Sequence, residues 1–226
     1  LQGEPYVYLA QLGFLAGDGR RAKWAYLEQA RRVRPHHDDV LMATGSELAL
    51  EGDLPQATAC WRCVFHRNSI YQEQIIAMVA LQVSADEFLK TFQPDAAGAR
   101  SLFHHYRKIG FMPQAMVAGR YYVAQLNALG DRQPGGLDVD QCLEAHEVWD
   151  YLGDDVAALE SLRHAAQQDS NRYDVRQKLA RQLLRQNQYA EARQHLQWCL
   201  RRQPHDLTLQ REFQTATRAD LAPLLR

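Results

Sequence analysis

One short pattern recurs five times along this chain: a turn-forming residue, four variable residues, then alanine. The instances open at Gly17, Gly52, Gly110, Gly153 and Asn187 and close at Ala22, Ala57, Ala115, Ala158 and Ala192. Their starts lie 35, 58, 43 and 34 residues apart. A period of this length restricts the fold to stacked supersecondary units, because one such unit cannot bury its apolar face alone and needs the next to cover it. The glycine or asparagine supplies the left-handed backbone that closes one helix. Pro55 and Pro113 suit the first turn of the next helix, where the missing N–H has no partner to lose. The alanine then lets the second helix come close to the first. Seven or eight residues later stands another small or apolar residue, as at Ala30, Val64, Ala165 and Cys199, and Pro35 and Pro204 stop their helices.

Composition says which secondary structure fills the period. The chain has 30 Ala and 29 Leu against 12 Val, 4 Ile and 6 Thr. Helix formers thus far outnumber the β-branched residues that favour strands, and an all-α chain follows. Helices are expected near 5–16, 20–33, 38–50, 54–67, 70–83, 95–108, 112–129, 138–151, 155–168, 172–186, 189–202 and 206–218. A short extra element is expected near 85–91, cut off at Phe92-Gln93-Pro94, and a loop at Gly130-Asp131-Arg132-Gln133-Pro134-Gly135-Gly136. Large residues fill the seam between paired helices: Leu41, Leu48 and Trp61 in one unit, Trp149, Leu159 and Leu162 in another.

At these residues the chain resembles the tetratricopeptide repeat family, which stacks helix-turn-helix units of about 34 residues. Residues 38–69, with Gly45, Leu48, Gly52, Ala57 and Trp61, are similar to the family pattern. So are residues 174–204, with Leu179, Ala180, Leu183, Tyr189, Ala192 and Pro204. Other units depart from it: Gly119 stands where a large seam residue is usual, and His146 where a small one is. The resemblance implies an α-solenoid of 12–13 helices, a right-handed superhelix forming one domain over 1–226. Its units are expected at about 4–35, 38–69, 70–94 (irregular), 95–129, 138–170 and 172–204, with a capping helix over 206–218 that covers the last apolar face.

Chemistry-bearing patterns are sparse. Cys60-Trp61-Arg62-Cys63 has redox-motif spacing but lies mid-helix, and Cys142 and Cys199 complete no zinc site. The adjacent pairs His36-His37 and His104-His105 diverge by about 100° on a helix, which does not suit one metal ion. There is no Gly-rich phosphate loop and no nucleophile motif. No catalytic residue, metal or cofactor is therefore expected. Asp38-Asp39 and Asp154-Asp155 sit at helix starts and Arg31-Arg32-Val33-Arg34 at a helix end, where the helix dipole favours those signs.

A net charge of −1 argues against nucleic acid, which usually demands a clearly basic surface. The longest apolar stretch, Ile75–Val83, contains Gln82 and falls far short of the ~20 residues of a membrane helix. The opening Leu1-Gln2-Gly3-Glu4-Pro5 lacks an initiator Met, so the chain reads as part of a larger protein.

In the family that the chain resembles, the first helix of each unit lines a concave groove in which ligands lie. Carried over, the resemblance assigns the groove to Met42, Ser46 and Leu50, then Arg100, His104, Arg107 and Lys108, then Glu144, Glu147 and Asp150, then Gln177, Arg181 and Arg185. The result is a basic, an acidic and a second basic band after an uncharged start. Met42 and Ser46 do not match the Lys and Asn of members that clamp a peptide carboxylate. The expected function is a non-catalytic module binding a peptide or partner protein of complementary charge. A helical accessory domain of a larger enzyme or envelope protein is the alternative, and self-association through exposed stack ends is a third.

Overall fold

The computed structural model describes residues 4–11 and 19–221, and these residues contain thirteen α-helices and no strand. Two compact units share them, residues 1–118 and 119–226. The first holds α1 (Glu4–Gln11), α2 (Gly19–Val33), α3 (Asp38–Leu50), α4 (Leu54–Phe65), α5 (Ser69–Val79), α6 (Ala85–Phe92) and α7 (Ala96–Lys108). The unit boundary falls within α8 (Met112–Gly130), and the second unit continues with α9 (Val139–Leu152), α10 (Asp155–Gln168), α11 (Tyr173–Arg185), α12 (Tyr189–Arg202) and α13 (Leu207–Leu221).

The recurring turns do what their residues require. Gly52, Gly110 and Gly153 have φ of +88°, +76° and +77°, and Asn187 has +59°, so each helical hairpin turns through the left-handed region. Asp53 and Asp154 then cap the next helix, accepting from the N–H groups of Gln56 and Ala157 at 3.1 and 3.0 Å. Ala57, Ala115, Ala158 and Ala192 are all fully buried, as are Ala30, Val64, Ala165 and Cys199 further along the second helices. The first of the five turns, at Gly17-Asp18, lies outside the described residues, as do 12–16 of the first expected helix.

Seam positions hold complementary sizes. Gly45 lies against the Trp61 indole so closely that a Cβ on it would fall 2.5 Å from Nε1. Twelve residues before each of the later alanines stand Phe103, His146 and Ala180 in place of Gly45, and four after stand Gly119, Leu162 and Leu196 in place of Trp61. Of the expected seam residues, Trp61, Leu159 and Leu162 are buried, whereas Leu41, Leu48 and Trp149 are half-buried.

In the first unit α1 pairs with α2 and α3 with α4, while α5 packs on α4 and α7. The helix expected over 70–83 stops at Val79. The Tyr106 hydroxyl donates to the Ala80 carbonyl at 3.1 Å, occupying an acceptor that a longer helix would have used. Ser84 then caps α6, accepting from Glu87 N–H at 3.2 Å. This short helix is held by rings: Phe88 stacks on Phe92 at 4.6 Å, and Phe65 meets Phe92 at 5.1 Å and Phe88 at 5.9 Å between centroids. It ends at Gln93, in the left-handed region at φ 46°, before Pro94.

The second unit is regular. Its pairs are α9 with α10 and α11 with α12, around a core of Leu143, Leu159, Leu162, Val175, Leu179 and Leu183. Helix α13 packs on α12 and buries Leu209 and Ala216 against Ala180, Leu196 and Cys199.

Candidate functional site

On α3, the period of 3.6 residues sets Met42 and Ser46 one turn apart on one face. Both line a cavity of about 370 Å³ in the first unit, together with Val7, Asp39, Tyr71 and Met78. Met42 is nearly buried, and the Ser46 hydroxyl is committed to the Met42 carbonyl at 3.0 Å. The Tyr71 hydroxyl donates to Asp39, and burial, reinforced by that bond, pushes its pKa up to about 12. Leu50 projects into solvent, 76% exposed, at the mouth of a second cavity of about 710 Å³ that meets the first at Ser46 and Met78.

The basic band of α7 divides. Arg100, His104 and Lys108, four residues apart, line a third cavity of about 610 Å³ with Gln72, Glu73 and His105. Arg107 is on another face, its guanidinium 5.4 Å from the centre of the Phe103 ring. The buried Nε2 of His105 has no hydrogen-bond partner, and burial, reinforced by Lys108, lowers its pKa.

In the second unit four of the expected band residues are in ion pairs, one pair joining the two bands. Glu147 meets Lys178 Nζ at 2.9 Å, Asp150 meets Arg185 at 2.6 Å, and Arg181 Nε reaches Glu212 at 2.9 Å. Glu144 accepts from the Tyr122 hydroxyl, and Gln177 is half-buried. Lys178, Arg181 and Arg185 surround a cavity of about 440 Å³ with Glu212 on its wall and His146 at its edge. His146 is 7% exposed with no partner at Nδ1. Burial, then Lys178, pulls its pKa below the ordinary histidine value. Beneath the ladder the fully buried Gln182 donates to Asp155 Oδ1 at 2.9 Å and accepts from Arg185.

Sequence reasoning missed Lys178, Glu212, Gln182 and Tyr122. For the first two a signal existed, since Lys178 follows Glu147, and Glu212 follows Arg181, by 31 residues. That is close to one repeat, which brings opposite charges onto neighbouring first helices. Among the described residues, no group of three His, Cys, Asp or Glu side chains could hold a metal ion. The cysteines are free thiols, and burial pushes Cys142 up to about 11. No described helix is long and apolar enough to cross a membrane.

The sequence profile of the tetratricopeptide repeat family matches residues 153–215. Among solved structures, the chain is similar to one from the Cut9–Hcn1 hetero-tetramer of the APC/C, at 13% identity and a TM-score of 0.44, with 95% of this chain and 43% of that one covered. It is also similar to YrrB, described as a repeat protein with an unusual peptide-binding site, at 12% identity and a TM-score of 0.46, covering 84% and 81%. A third likeness is TTC0263, a thermophilic repeat protein of Thermus thermophilus, at 16% identity and a TM-score of 0.36, covering 96% and 99%. The chain spans less than half the length of the first of these. No curated protein sequence matches it.

Proposed function

For this chain, which carries tetratricopeptide repeats, we propose a non-catalytic interaction module that holds a peptide or partner-protein segment along the first helices of its repeats. The fold suggests a protein–protein interaction scaffold, and such repeat stacks are in general non-catalytic. One contrast carries the finer reading. In residues 119–226 the cations that line the cavity of about 440 Å³ are each paired with a carboxylate, whereas in residues 1–118 the first helices α3, α5 and α7 line cavities of about 370 and 610 Å³. Recognition therefore falls to the first unit. Met42 and Ser46 contribute a mixed recess shared with Lys23, Asp39 and Glu47, and Arg100, His104 and Lys108 a basic one that suits carboxylates of the bound segment.

Proteins retained from a lysate by the wild-type chain are to be compared with those retained by Arg100→Glu/His104→Glu and by Arg181→Glu. The double variant should lose specific proteins, with affinity for them falling more than tenfold at unchanged circular dichroism. Arg181→Glu should retain them, because its native partner is Glu212 and not a ligand. Identical captures from all three chains would sink the reading.

A further inference from the structure

Five of the ten large exposed apolar side chains described in the first unit lie along one edge. The connections α3–α4, α5–α6 and α7–α8 lie at one end of the helices. The contacts agree: Leu50 and Leu54 of the first turn share a cavity with Val83 of the second, and Ala85 N–H donates to Gln114 Oε1 of α8 at 2.6 Å. These turns expose Leu50, Leu54, Leu81, Phe111 and Met112, by 53–76%. The turns at the opposite end read Pro35-His36-His37, His66-Arg67-Asn68 and Gln93-Pro94-Asp95, with Ile70 beside them as the one large exposed apolar residue among those described. Single exposed apolar residues are ordinary, but several on one edge, two of them lining a cavity, mark an interaction surface.

The cavity of about 710 Å³ on this edge exists because α6 has 8 residues and α5 stops at Val79, so the third hairpin does not fill the space beside the second. Trp61, Phe88 and Phe92 are among its walls, and Glu87 is the only charged residue lining it among those described. Glu51, Asp53 and Asp86 stand on the flanking turns. None of these four carboxylates has a cation partner among the described residues, although Glu51 accepts from Trp24 and Asp53 from Gln56, and residues 51–92 carry five acidic side chains against Arg62, Arg67 and Lys90. Apart from Gln82 and Val83 in the turn, the lining residues belong to helices, whose backbone groups are mostly paired within them. An extended occupant would leave its own N–H and C=O groups unsatisfied there, whereas a helix brings them satisfied.

We propose that this edge docks a basic amphipathic helix of a partner protein, its apolar stripe in the cavity and its Lys or Arg flanks against Glu51, Asp53, Asp86 and Glu87. The proposal deepens the reading of the first unit as the recognition surface, and its test separates the two.

The probes are two fluorescein-labelled amphipathic peptides of about five helical turns, alike in their Leu face and carrying either Lys or Glu elsewhere, titrated into the 226-residue chain. The Lys peptide should bind at least tenfold more tightly than the Glu peptide. Leu54→Glu should weaken it at least tenfold. Leu54 is exposed and opens α4, where an acidic residue suits the dipole, so that variant keeps its fold. Asp86→Lys/Glu87→Lys should reverse the preference between the peptides, and Arg100→Glu should leave the Lys peptide unaffected. Equal binding of the two peptides, or an affinity indifferent to Leu54→Glu, overturns the proposal. So does loss with Arg100→Glu, which assigns the peptide to the first-helix groove. Co-sedimentation with phosphatidylcholine vesicles that Leu54→Glu abolishes, with neither peptide bound, overturns it in favour of a lipid surface.

Discussion

Helices α9 to α13 are 13 to 15 residues long, and the charges on α9, α11 and α13 meet one another. Helices α5 and α6 have 11 and 8 residues, and cavities open on the elements around them. Both units stack the same kind of hairpin, closed by the same left-handed turn and buried alanine. The difference lies in register. Where successive first helices match in length, an acid on one falls opposite a base one repeat later, and the face is used up internally. Where α5 and α6 are short, cavities stand beside them, lined by apolar side chains on one side and basic ones on another.

That contrast breaks most severely if the short helix is not held by its rings. Phe88 is fully buried between Phe65 and Phe92, so Phe88→Ala should cost about 3–5 kcal/mol in urea unfolding. Hydrogen exchange should quicken first across 69–92. Unchanged protection in that segment would show that α6 is secured otherwise, and the cause assigned to the 710 Å³ cavity would fail.

A smaller effect separates the units by pH. In the second unit burial lowers the pKa of both His146 and His195, helped by Lys178 and Arg176 respectively. Asp150 and Arg185 also act on His146, in opposite senses. An unfolded histidine takes up its proton near pH 6.5, before the folded one does. As pH falls below about 6.5 the unfolded state therefore holds more protons, and stability drops until the folded pKa is passed; above it the term is constant. Each histidine contributes at most about 1.4 kcal/mol per pH unit. Going from pH 7.5 to 5.5, the urea midpoint of His146→Ala should fall less than that of the wild type. Equal falls would mean that His146 is not kept neutral by the fold.

The sequence carried the fold well because its signals are local. A glycine or asparagine at the left-handed turn, an aspartate cap and an alanine at the close approach each act within a few residues, and Gly52, Gly110, Gly153 and Asn187 all turn as those residues demand. The end of α5 was not legible, because it depends on Tyr106 reaching Ala80 from 26 residues away. The faces of the groove residues were only half legible. Spacing of four put Arg100, His104 and Lys108 together, while Arg107 turned to Phe103. In the second unit Glu147, Asp150, Arg181 and Arg185 are in ion pairs, which single-helix periodicity does not reveal, since it says which side chains share a face but not what the next first helix sets against them.

The smallest effect bears most directly on the contrast. Arg181 and Glu212 form the end rung of the ladder, with side chains 46% and 21% exposed. A double-mutant cycle of Arg181→Gln and Glu212→Gln should give a coupling of about 0.5–1 kcal/mol, in the upper part of the range for partly exposed pairs, and should shrink as salt is raised. Arg181→Gln alone should cost more than the coupling, because it leaves the partly buried Glu212, whose Oε2 already lacks a partner, with less compensation. A coupling near zero would mean that the pair contributes nothing to folding and that Glu212 does not hold Arg181 from a ligand. The two units would then differ in geometry but not in what their first helices can offer, and the assignment of recognition to residues 1–118 would lose its electrostatic basis.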